Sequence, residues 1–301
     1  MLNENPVNMF YDPVLDREMV KYGYIVLPFL DENDITSFKS LYKKWHPKSP
    51  DEFYKSYFDT RIEYKEEVEK SIISIFEQKM ATIFKNYDAF GGLFVVKPPT
   101  DKGHLPPHQD WSFVNEKEKW SINMWCPLDD VNDTNGNLTI LKGSHQFTET
   151  IRGSGTPDIY REHQELIEKN MTSIPMKAGE AIFFFHGLIH GSKQNRTDKS
   201  RVCLGLTLTP KDSGLLYHYL DKSTNQLEQF KTTPDFYIDY AANRIEKPKI
   251  KGSQHNFEFK GLTQDELLLK IKLANQPENH TAGSMNNSSN WIQKIINRLL
   301  K

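Results

Sequence analysis

The sequence changes character at residue 93, and this change constrains the fold more than any other feature. From there on, short runs rich in β-branched and aromatic residues alternate with polar or glycine-containing turns. The runs cover residues 93–96, 121–127, 137–141, 181–185 and 202–208. Many short strands after an initial helical portion predict an antiparallel sandwich or barrel with helices packed outside it.

The chain before residue 93 shows one strand signal and two helix signals. Residues 22–30 predict a strand that ends at a helix cap, Asp31. Apolar residues at helical spacing then predict an amphipathic helix over 32–45, and a second helix is expected over 61–86. The glycine pair at 91–92 is expected to break the pattern.

The domain organisation follows from these patterns and from a polar, low-complexity stretch near the end of the chain. We expect one domain over 1–274 and a short tail after it. Its parts are a helical part at 1–90, a core at about 91–210, an extension at 211–274, a flexible linker at 275–290 and a short C-terminal helix at 291–301. The last helix carries apolar and basic residues, so it is expected either to dock on its own domain or to lie peripherally on a membrane or partner.

Charge and composition exclude several classes of protein. A net charge of -2 lacks the footprint of a general nucleic-acid binder. The sequence contains no run of about 18 apolar residues, so no transmembrane segment is expected. The first residues lack the basic and apolar regions of a secretory signal. Two cysteines, Cys126 and Cys203, cannot form a disulfide framework and are expected to be inert small hydrophobes. We therefore expect a cytoplasmic protein of unassigned oligomeric state.

Three side chains have the chemistry of a metal site. His108 and Asp110 stand two residues apart, which places them on one face of a strand. His190 follows the apolar run 181–185. Two histidines and one carboxylate form a facial triad, which occupies three positions of an octahedral iron and leaves three open. His186 is the competing histidine, but no glutamate follows it and its segment has the pattern of a strand, which disfavours a zinc protease motif.

An arginine follows the last of these residues across a polar turn. Arg201 lies eleven residues after His190, and a hairpin of that length returns it to the side of the metal. The guanidinium fork matches a carboxylate with two parallel hydrogen bonds. Iron, an arginine and open coordination positions fit a keto-acid co-substrate, whereas without the triad Arg201 is a surface arginine beside a turn.

The residues around these positions form an ordered series over about residues 20–210. The series consists of the stretches 22–27, 97–99, 107–110, 125–130, 135–138, 143–145, 179–186 and 190–192, followed by Asn195 and Arg201. In order and spacing it resembles the phytanoyl-CoA dioxygenase family of Fe(II)/2-oxoglutarate oxygenases. The resemblance implies a mainly β fold with flanking α-helices around a double-stranded β-helix core of the jelly-roll, cupin-like type.

The same resemblance implies roles for individual residues. It makes His108, Asp110 and His190 the catalytic Fe(II) ligands. The co-substrate 2-oxoglutarate would be held by Arg201 with the help of Ser192, in a pocket bordered by Trp125. The implied reaction uses O2 and hydroxylates an unactivated C–H of a small organic or acyl substrate, including acyl thioesters, with release of succinate and CO2.

Two other functions remain open at this point. One is a jelly-roll binding or sensor module that has lost catalysis, and the other is a cupin-like iron dioxygenase that works without 2-oxoglutarate. The intact triad argues against the first and Arg201 argues against the second. Succinate release that depends on 2-oxoglutarate separates all three.

Substrate capture is the least constrained prediction. Trp111 directly follows the metal motif and is expected to line the approach to iron. The long excursion between 145 and 179 is expected to close over the substrate, with Arg152 on an anionic group of it. In the alternative, 158–170 is a packed surface helix and Arg152 is a solvated charge.

Overall fold

The computed structural model describes residues 8–100, 103–243, 248 and 252–275. The expected linker at 275–290, apart from Asn275, and the expected helix at 291–301 lie outside the described residues. The α-helices described are α1 (Pro13–Tyr22), α2 (Glu32–Trp45), α3 (Ile62–Met80), α4 (Gln164–Asn170), α5 (Pro234–Asn243) and α6 (Gln264–Ala274). Among them, none is long and apolar enough to cross a membrane.

The strands account for most of the ordered core. They are β1 (Tyr24–Pro28), β2 (Tyr54–Lys55), β3 (Tyr87–Lys97), β4 (Leu105–His108), β5 (Ile122–Pro127), β6 (Leu138–Ile140), β7 (Thr172–Ile174), β8 (Glu180–Phe185), β9 (His190–Ser192), β10 (Arg201–Pro210), β11 (Leu215–Asp221), β12 (Gln226–Thr232) and β13 (Ser253–His255). All five runs predicted downstream of residue 93 form strands.

Two antiparallel sheets make the jelly roll. The larger sheet has the strand order β1-β8-β5-β10-β3-β2, and the smaller has the order β4-β9-β6-β7. Side chains from both sheets meet in one buried cluster, which includes Trp125 and Ile182 from the larger sheet and Leu138 from the smaller. We call the space between the two sheets the interior. The predicted mainly β fold with a jelly-roll core and flanking helices is confirmed.

The apolar run of β8 shows why the larger sheet is buried on both faces. Ile182 and Phe184 point into the interior, whereas Phe183 and Phe185 lie in a second cluster on the outer face. Successive side chains of a strand point to opposite faces, so a strand covered on both sides is apolar throughout. The outer cluster contains the buried faces of α1, α2 and α3.

Helix α2 forms where the sequence predicts it. The Asp31 side chain accepts hydrogen bonds from the backbone N–H groups of Asn33 and Asp34, and the Asp34 carboxylate accepts from the Asp31 backbone N–H. This reciprocal capping box fixes the first turn. The helix ends at Trp45, as expected.

The glycine pair at 91–92 does not break the chain, and the helix predicted over 61–86 already ends at Met80. Both glycines lie inside β3, opposite a register shift in β10. Gly91 has a φ of +67°, and a Cβ on Gly92 would come within 2.8 Å of the Glu69 backbone. The glycines therefore let the irregular strand β3 pass close to α3. The expectation that they interrupt the secondary structure is wrong, because the missing side chains allow close packing within a strand.

The regions on either side of the predicted core also contribute strands. The N-terminal part supplies β1, which confirms the strand predicted over 22–30, and also β2, which was not predicted. The extension after residue 210 forms a three-stranded sheet, β11-β12-β13, and the helices α5 and α6. A bridge between Ser154 and Tyr219 joins this extension to the excursion that follows residue 145.

Candidate active site

The two histidines of the predicted triad are cross-strand neighbours. His108 is the last residue of β4, and it pairs with His190, the first residue of β9. Their ring centroids are 4.3 Å apart. β4 is the edge strand of its sheet, and this position tolerates Pro106 and Pro107, which have no N–H to donate to a neighbouring strand.

Asp110 completes the cluster from the segment just after β4. Its backbone N–H donates to the carbonyl oxygen of His186 at 2.9 Å, which fixes the chain at this point. Its carboxylate oxygens lie 3.9 Å from the Nε2 atom of His108 and 3.6 Å from that of His190. One ligand atom from each residue lies within 4.8 Å of the others, so the three side chains converge on a space that fits a metal ion.

Hydrogen bonds orient all three side chains toward that space. The Nδ1 atoms of His108 and His190 each lie 2.9 Å from a backbone carbonyl oxygen, that of Pro106 and that of Leu188. An Nδ1–H that donates to a carbonyl leaves the Nε2 lone pair facing the centre. The amide of Asn123 donates to the Asp110 carboxylate at 3.1 Å.

The protonation states also suit a metal ligand set. Burial lowers the pKa of His190, and burial together with His190 lowers the pKa of His108 to about 4. Burial raises the pKa of Asp110, but the opposing effect of His190 and Lys55 is larger, so the pKa of Asp110 is below its usual value. At neutral pH the site therefore presents two neutral imidazoles and one carboxylate, the forms that ligate a metal.

His186, the competing histidine, lies outside the cluster. Its Nδ1 atom is 2.7 Å from the hydroxyl oxygen of Ser121, and its ring packs edge-on against Phe113. The side chain is buried, and burial lowers its pKa to about 4. These contacts give the His186 side chain a structural role, next to the segment after β4 that carries Asp110.

Arg201 is buried in the interior without an acidic partner among the described residues. It is the first residue of β10 and is 3% exposed. Its guanidinium carbon lies 5.0 Å from the ring centroid of Trp125, and one of its terminal nitrogens donates to the carbonyl oxygen of Gly136. Its Nε atom is buried with no hydrogen-bond partner. An arginine with a free donor in a dry interior is suited to bind an anion.

A second buried cation lies directly across the sheet. Lys97, at the end of β3, pairs with Arg201 in the strand register and is fully buried. Its Nζ atom donates to the hydroxyl of Ser192 at 2.6 Å and to the carbonyl oxygen of Lys193 at 2.6 Å. Burial and the charge of Arg201 lower the pKa of Lys97 to about 7.

Sequence reasoning gave Lys97 no role and placed Ser192 beside Arg201. In the structure the hydroxyl of Ser192 accepts from Lys97, so the serine belongs to the same cation pair through the lysine. The available signal was a lysine at the end of an otherwise apolar strand run at 93–96.

Gly136 closes the cradle around the two cations. Its φ is +75°, and a Cβ at this position would lie 2.8 Å from the Cδ atom of Lys97 and 2.6 Å from the carbonyl oxygen of Lys193. Two like charges in a dry interior are costly unless an anion joins them. The residues present therefore fit the far carboxylate of a dicarboxylate whose other end reaches the triad.

Arg152 has a different environment from the one that the sequence predicts. The side chain is buried, and it forms an ion pair with Glu116 at 2.6 Å. Its Nε atom donates to the backbone oxygen of Asp110 at 2.6 Å. The expectation that Arg152 engages an anionic group of the substrate stays a prediction, and the ion pair with Glu116 argues against it. The alternative of a solvated charge is wrong, because the side chain is buried.

The excursion lines a cavity on the other side of the metal motif. The cavity has a volume of about 700 Å³, and its lining includes Gln109, Arg152 and His218 but none of the three triad residues. Trp111 packs edge-on against Tyr217 of β11, next to this cavity. The expected surface helix at 158–170 is present as α4, preceded by a short 3₁₀ turn. Whether the excursion closes over a substrate stays a prediction.

Comparison with known proteins places this architecture in a family. The sequence model described as "Phytanoyl-CoA dioxygenase (PhyH)" matches residues 31–203, more than half of the chain. A phytanoyl-CoA dioxygenase of Arabidopsis thaliana is 32% identical over 123 residues, which are 40% of this chain and 44% of that protein. The human peroxisomal phytanoyl-CoA dioxygenase is 28% identical over 159 residues, which are 47% of this chain and 44% of that protein. The matches thus span less than half the length of these relatives.

Solved structures agree with the fold. The non-heme alpha ketoglutarate dependent carbocyclase SnoK from nogalamycin biosynthesis superposes with a TM-score of 0.50 at 20% identity. The superposition covers 67% of this chain and 84% of that one.

Proposed function

This chain belongs to the phytanoyl-CoA dioxygenase family, and on that premise we propose that it is an Fe(II)- and 2-oxoglutarate-dependent dioxygenase. It hydroxylates an unactivated C–H of a small organic or acyl substrate, acyl thioesters included, and releases succinate and CO2. We further propose that it acts in the cytoplasm.

One observation carries the proposal. A triad of two imidazoles and one carboxylate shares an interior with two buried cations that have no acidic partner among the described residues. A metal alone would use the triad and leave the cations unexplained. A keto acid that binds the metal at one end and the cations at the other uses both.

The residues divide the work of binding. His108, Asp110 and His190 hold the iron through two Nε2 atoms and a carboxylate oxygen. Arg201 and Lys97 bind the distal carboxylate of 2-oxoglutarate, Ser192 fixes the lysine amine, and Trp125 supports the guanidinium plane. When bound, the iron and its keto acid supply the activation of O2.

The protein's own part in the chemistry is orientation and exclusion of water. The apolar side chains of the interior, such as Ile140 and Phe184, surround the triad, and the Phe184 ring lies 4.7 Å from that of His190. A dry site strengthens the pairing of the cations with the co-substrate. It also protects reactive species from side reactions.

Anaerobic calorimetry tests the proposal. Protein loaded with Mn(II), a redox-inert substitute for Fe(II), should bind 2-oxoglutarate, and the binding should need both the metal and Arg201. Under air with Fe(II), the protein should release succinate in a 2-oxoglutarate-dependent manner. Metal binding without 2-oxoglutarate binding would favour the co-substrate-independent iron dioxygenase, and absence of both would favour the inactive binding module.

A further inference from the structure

The inner face of the larger sheet continues past the triad into a further buried cluster. Thr207 of β10 lies between two leucines of the outer cluster, so its side chain faces the interior. It pairs with Asn123 on one side and with Phe90 on the other, and residues paired across neighbouring strands share a face of the sheet. Asn123 donates to the carboxylate of Asp110. Phe90 therefore faces the interior side, two strands away from the residue that contacts the triad.

The cluster around Phe90 lies at the end of the interior away from the cation pair. We call it the aromatic cluster, and it includes the buried rings of Phe90, Tyr217 and Tyr237 and the partly exposed rings of Tyr57, Trp111 and Phe236. Arg201 lies six positions before Thr207 on β10, roughly 20 Å of extended chain. A co-substrate that holds its far carboxylate on the cations reaches the metal from their end. The aromatic end therefore remains for the primary substrate.

The three partly exposed rings come from separate parts of the chain. Tyr57 lies in the 3₁₀ turn that directly follows β2, Trp111 comes directly after the last triad residue of its segment, and Phe236 lies in α5. Lys65, a buried lysine of α3, donates to a carbonyl oxygen of the turn at 3.5 Å and to one of α5 at 2.6 Å. These bonds hold the turn and α5 together, so the rings form one surface.

The turn lies near the triad and carries exposed apolar side chains. Lys55, two positions before Tyr57, acts on the triad, where its charge lowers the pKa of Asp110. Phe58 packs edge-on against Tyr57 and is 61% exposed, and Ile62 at the start of α3 is 37% exposed. Exposed apolar side chains beside a partly open cluster are typical of a ligand-binding surface.

The chemistry of the aromatic cluster indicates which ligand fits it. Trp111 and Phe236 both pack edge-on against Tyr217, with ring centroids 5.7 and 5.2 Å apart. Aromatic rings attract one another in edge-to-face and offset-stacked arrangements, beyond the gain from burial alone. The members of the cluster carry no charge at neutral pH. The group that fits is therefore an uncharged aromatic ring, whereas the interior around the cation pair is mainly aliphatic.

Two of these rings, Tyr217 and Phe236, lie outside residues 31–203, the part of the chain that the family model matches. The surface is therefore partly built from residues that the matched region does not contain.

We propose that the aromatic cluster binds an uncharged aromatic ring of the primary substrate and thereby positions a neighbouring C–H bond at the metal. The substrate class is thus a small aromatic compound. The inference rests on the proposed function, because it assumes that the triad and the cation pair are occupied by the metal and 2-oxoglutarate.

Calorimetry under nitrogen tests the preference for a ring. Protein with Mn(II) and saturating 2-oxoglutarate is titrated with 2-naphthol and benzyl alcohol, each beside its saturated counterpart, decahydro-2-naphthol or cyclohexylmethanol. The saturated compounds have at least as much apolar area, so burial alone does not favour the ring. In the unmodified protein, at least one aromatic alcohol should bind about five- to tenfold more tightly than its counterpart. Trp111→Leu and Phe236→Leu should each reduce this preference to about twofold or less, and Trp111→Phe should keep most of it.

The controls separate the inference from the function beneath it. Tyr11→Leu removes an aromatic side chain that is 59% exposed outside the cluster, and it should change nothing. The affinity for 2-oxoglutarate should be the same in Phe236→Leu as in the unmodified protein, which shows that the variant is folded. An aromatic alcohol that binds no more tightly than its counterpart, or not at all, overturns the inference.

A preference that survives both Trp111→Leu and Phe236→Leu also overturns it, since the ring would then bind elsewhere. Absence of 2-oxoglutarate binding in the unmodified protein instead refutes the proposed function, on which the inference rests.

Discussion

Two buried arginines, one on each side of the metal motif, have opposite surroundings. Arg152 lies beside the cavity lined by the excursion, and its charge is balanced by Glu116 at 2.6 Å. Arg201 lies in the interior, has no acidic partner among the described residues, and keeps its Nε atom without a hydrogen bond. The charge of the first arginine is balanced by the chain itself. The second arginine keeps a hydrogen-bond donor that can bind an anion supplied by a ligand.

The difference teaches how to separate a structural charge from a binding charge. Burial alone does not do so, because both guanidinium groups are shielded from water. The presence or absence of a counter-ion within the chain does separate them. A buried charge without a counter-ion destabilises the free protein, and it is retained where a ligand supplies the opposite charge. This criterion supports the interior as the proposed binding region, whereas the contacts of Arg152 hold the excursion against the backbone of Asp110.

The largest expected effect comes from replacing one histidine in each region by alanine. His190→Ala removes a ligand from the interior, so metal affinity should fall by about a hundredfold or more and turnover should be lost. His186→Ala, on the cavity side, should leave metal affinity within about tenfold and lower the free energy of unfolding by about 1–3 kcal/mol, because Ser121 loses its buried partner. Metal titration and succinate release measure the first effect, and chemical denaturation measures the second.

The reverse outcome would contradict the assignment of the ligands. If His186→Ala lost the metal and His190→Ala kept it, the triad would be wrongly composed.

The next effect compares the two arginines directly. Arg201→Lys keeps the charge but loses the planar fork, so the KM for 2-oxoglutarate should rise roughly ten- to a hundredfold, equivalent to about 1.5–3 kcal/mol. Arg152→Met should leave this KM unchanged and lower the free energy of unfolding by about 1–3 kcal/mol, because Glu116 is left without its partner. Steady-state kinetics on Fe(II)-loaded protein with denaturation curves for both variants give the comparison. Equal changes of KM in the two variants would remove the distinction between the regions.

The sequence predicts those parts of the molecule that depend on local signals. Helix α2 is read from its cap at Asp31 and its apolar spacing, and the triad is read from the residue types at 108, 110 and 190. Helix α1 carries equally local signals, with Asp12 as its N-cap and Gly23 at its C-terminus, but the sequence reasoning did not use them.

The parts that were not predicted depend on contacts between distant residues. Arg152 meets Glu116 across 36 positions, and neither residue type indicates the other. Lys55 faces the interior only because a two-residue strand pairs with Val95, some forty positions further along the chain. The roles of both cations are set by tertiary neighbours, which composition and periodicity do not encode.

The pH dependence of the KM for 2-oxoglutarate tests the role of Lys97 in the interior. Burial and Arg201 lower the pKa of Lys97 to about 7, so its amine is half neutral near that pH. Binding of an anionic carboxylate favours the charged amine, and above pH 7 binding must therefore take up a proton. The KM for 2-oxoglutarate should rise with pH above about 7, by up to about tenfold per unit.

The control for this profile lies at Lys97 itself. Lys97→Met should raise the KM below pH 7 and flatten the profile, whereas Arg152→Met should keep the profile of the unmodified protein. A flat profile in the unmodified protein would show that the Lys97 amine does not meet the co-substrate.

The smallest effect concerns the two tryptophans, one in each region. Trp125 lies in the interior with its ring 5.0 Å from the guanidinium carbon of Arg201, whereas Trp111 packs against Tyr217 beside the cavity. A cation–π contact contributes about 0.5–1 kcal/mol, so Trp125→Leu should raise the KM for 2-oxoglutarate about two- to fivefold. Trp111→Leu removes a ring of the same size that packs against Tyr217, and its KM for 2-oxoglutarate should stay unchanged. An equal rise of KM in Trp111→Leu and Trp125→Leu would show that the effect on co-substrate binding comes from general packing. The contact of Trp125 with Arg201 would then have no specific contribution.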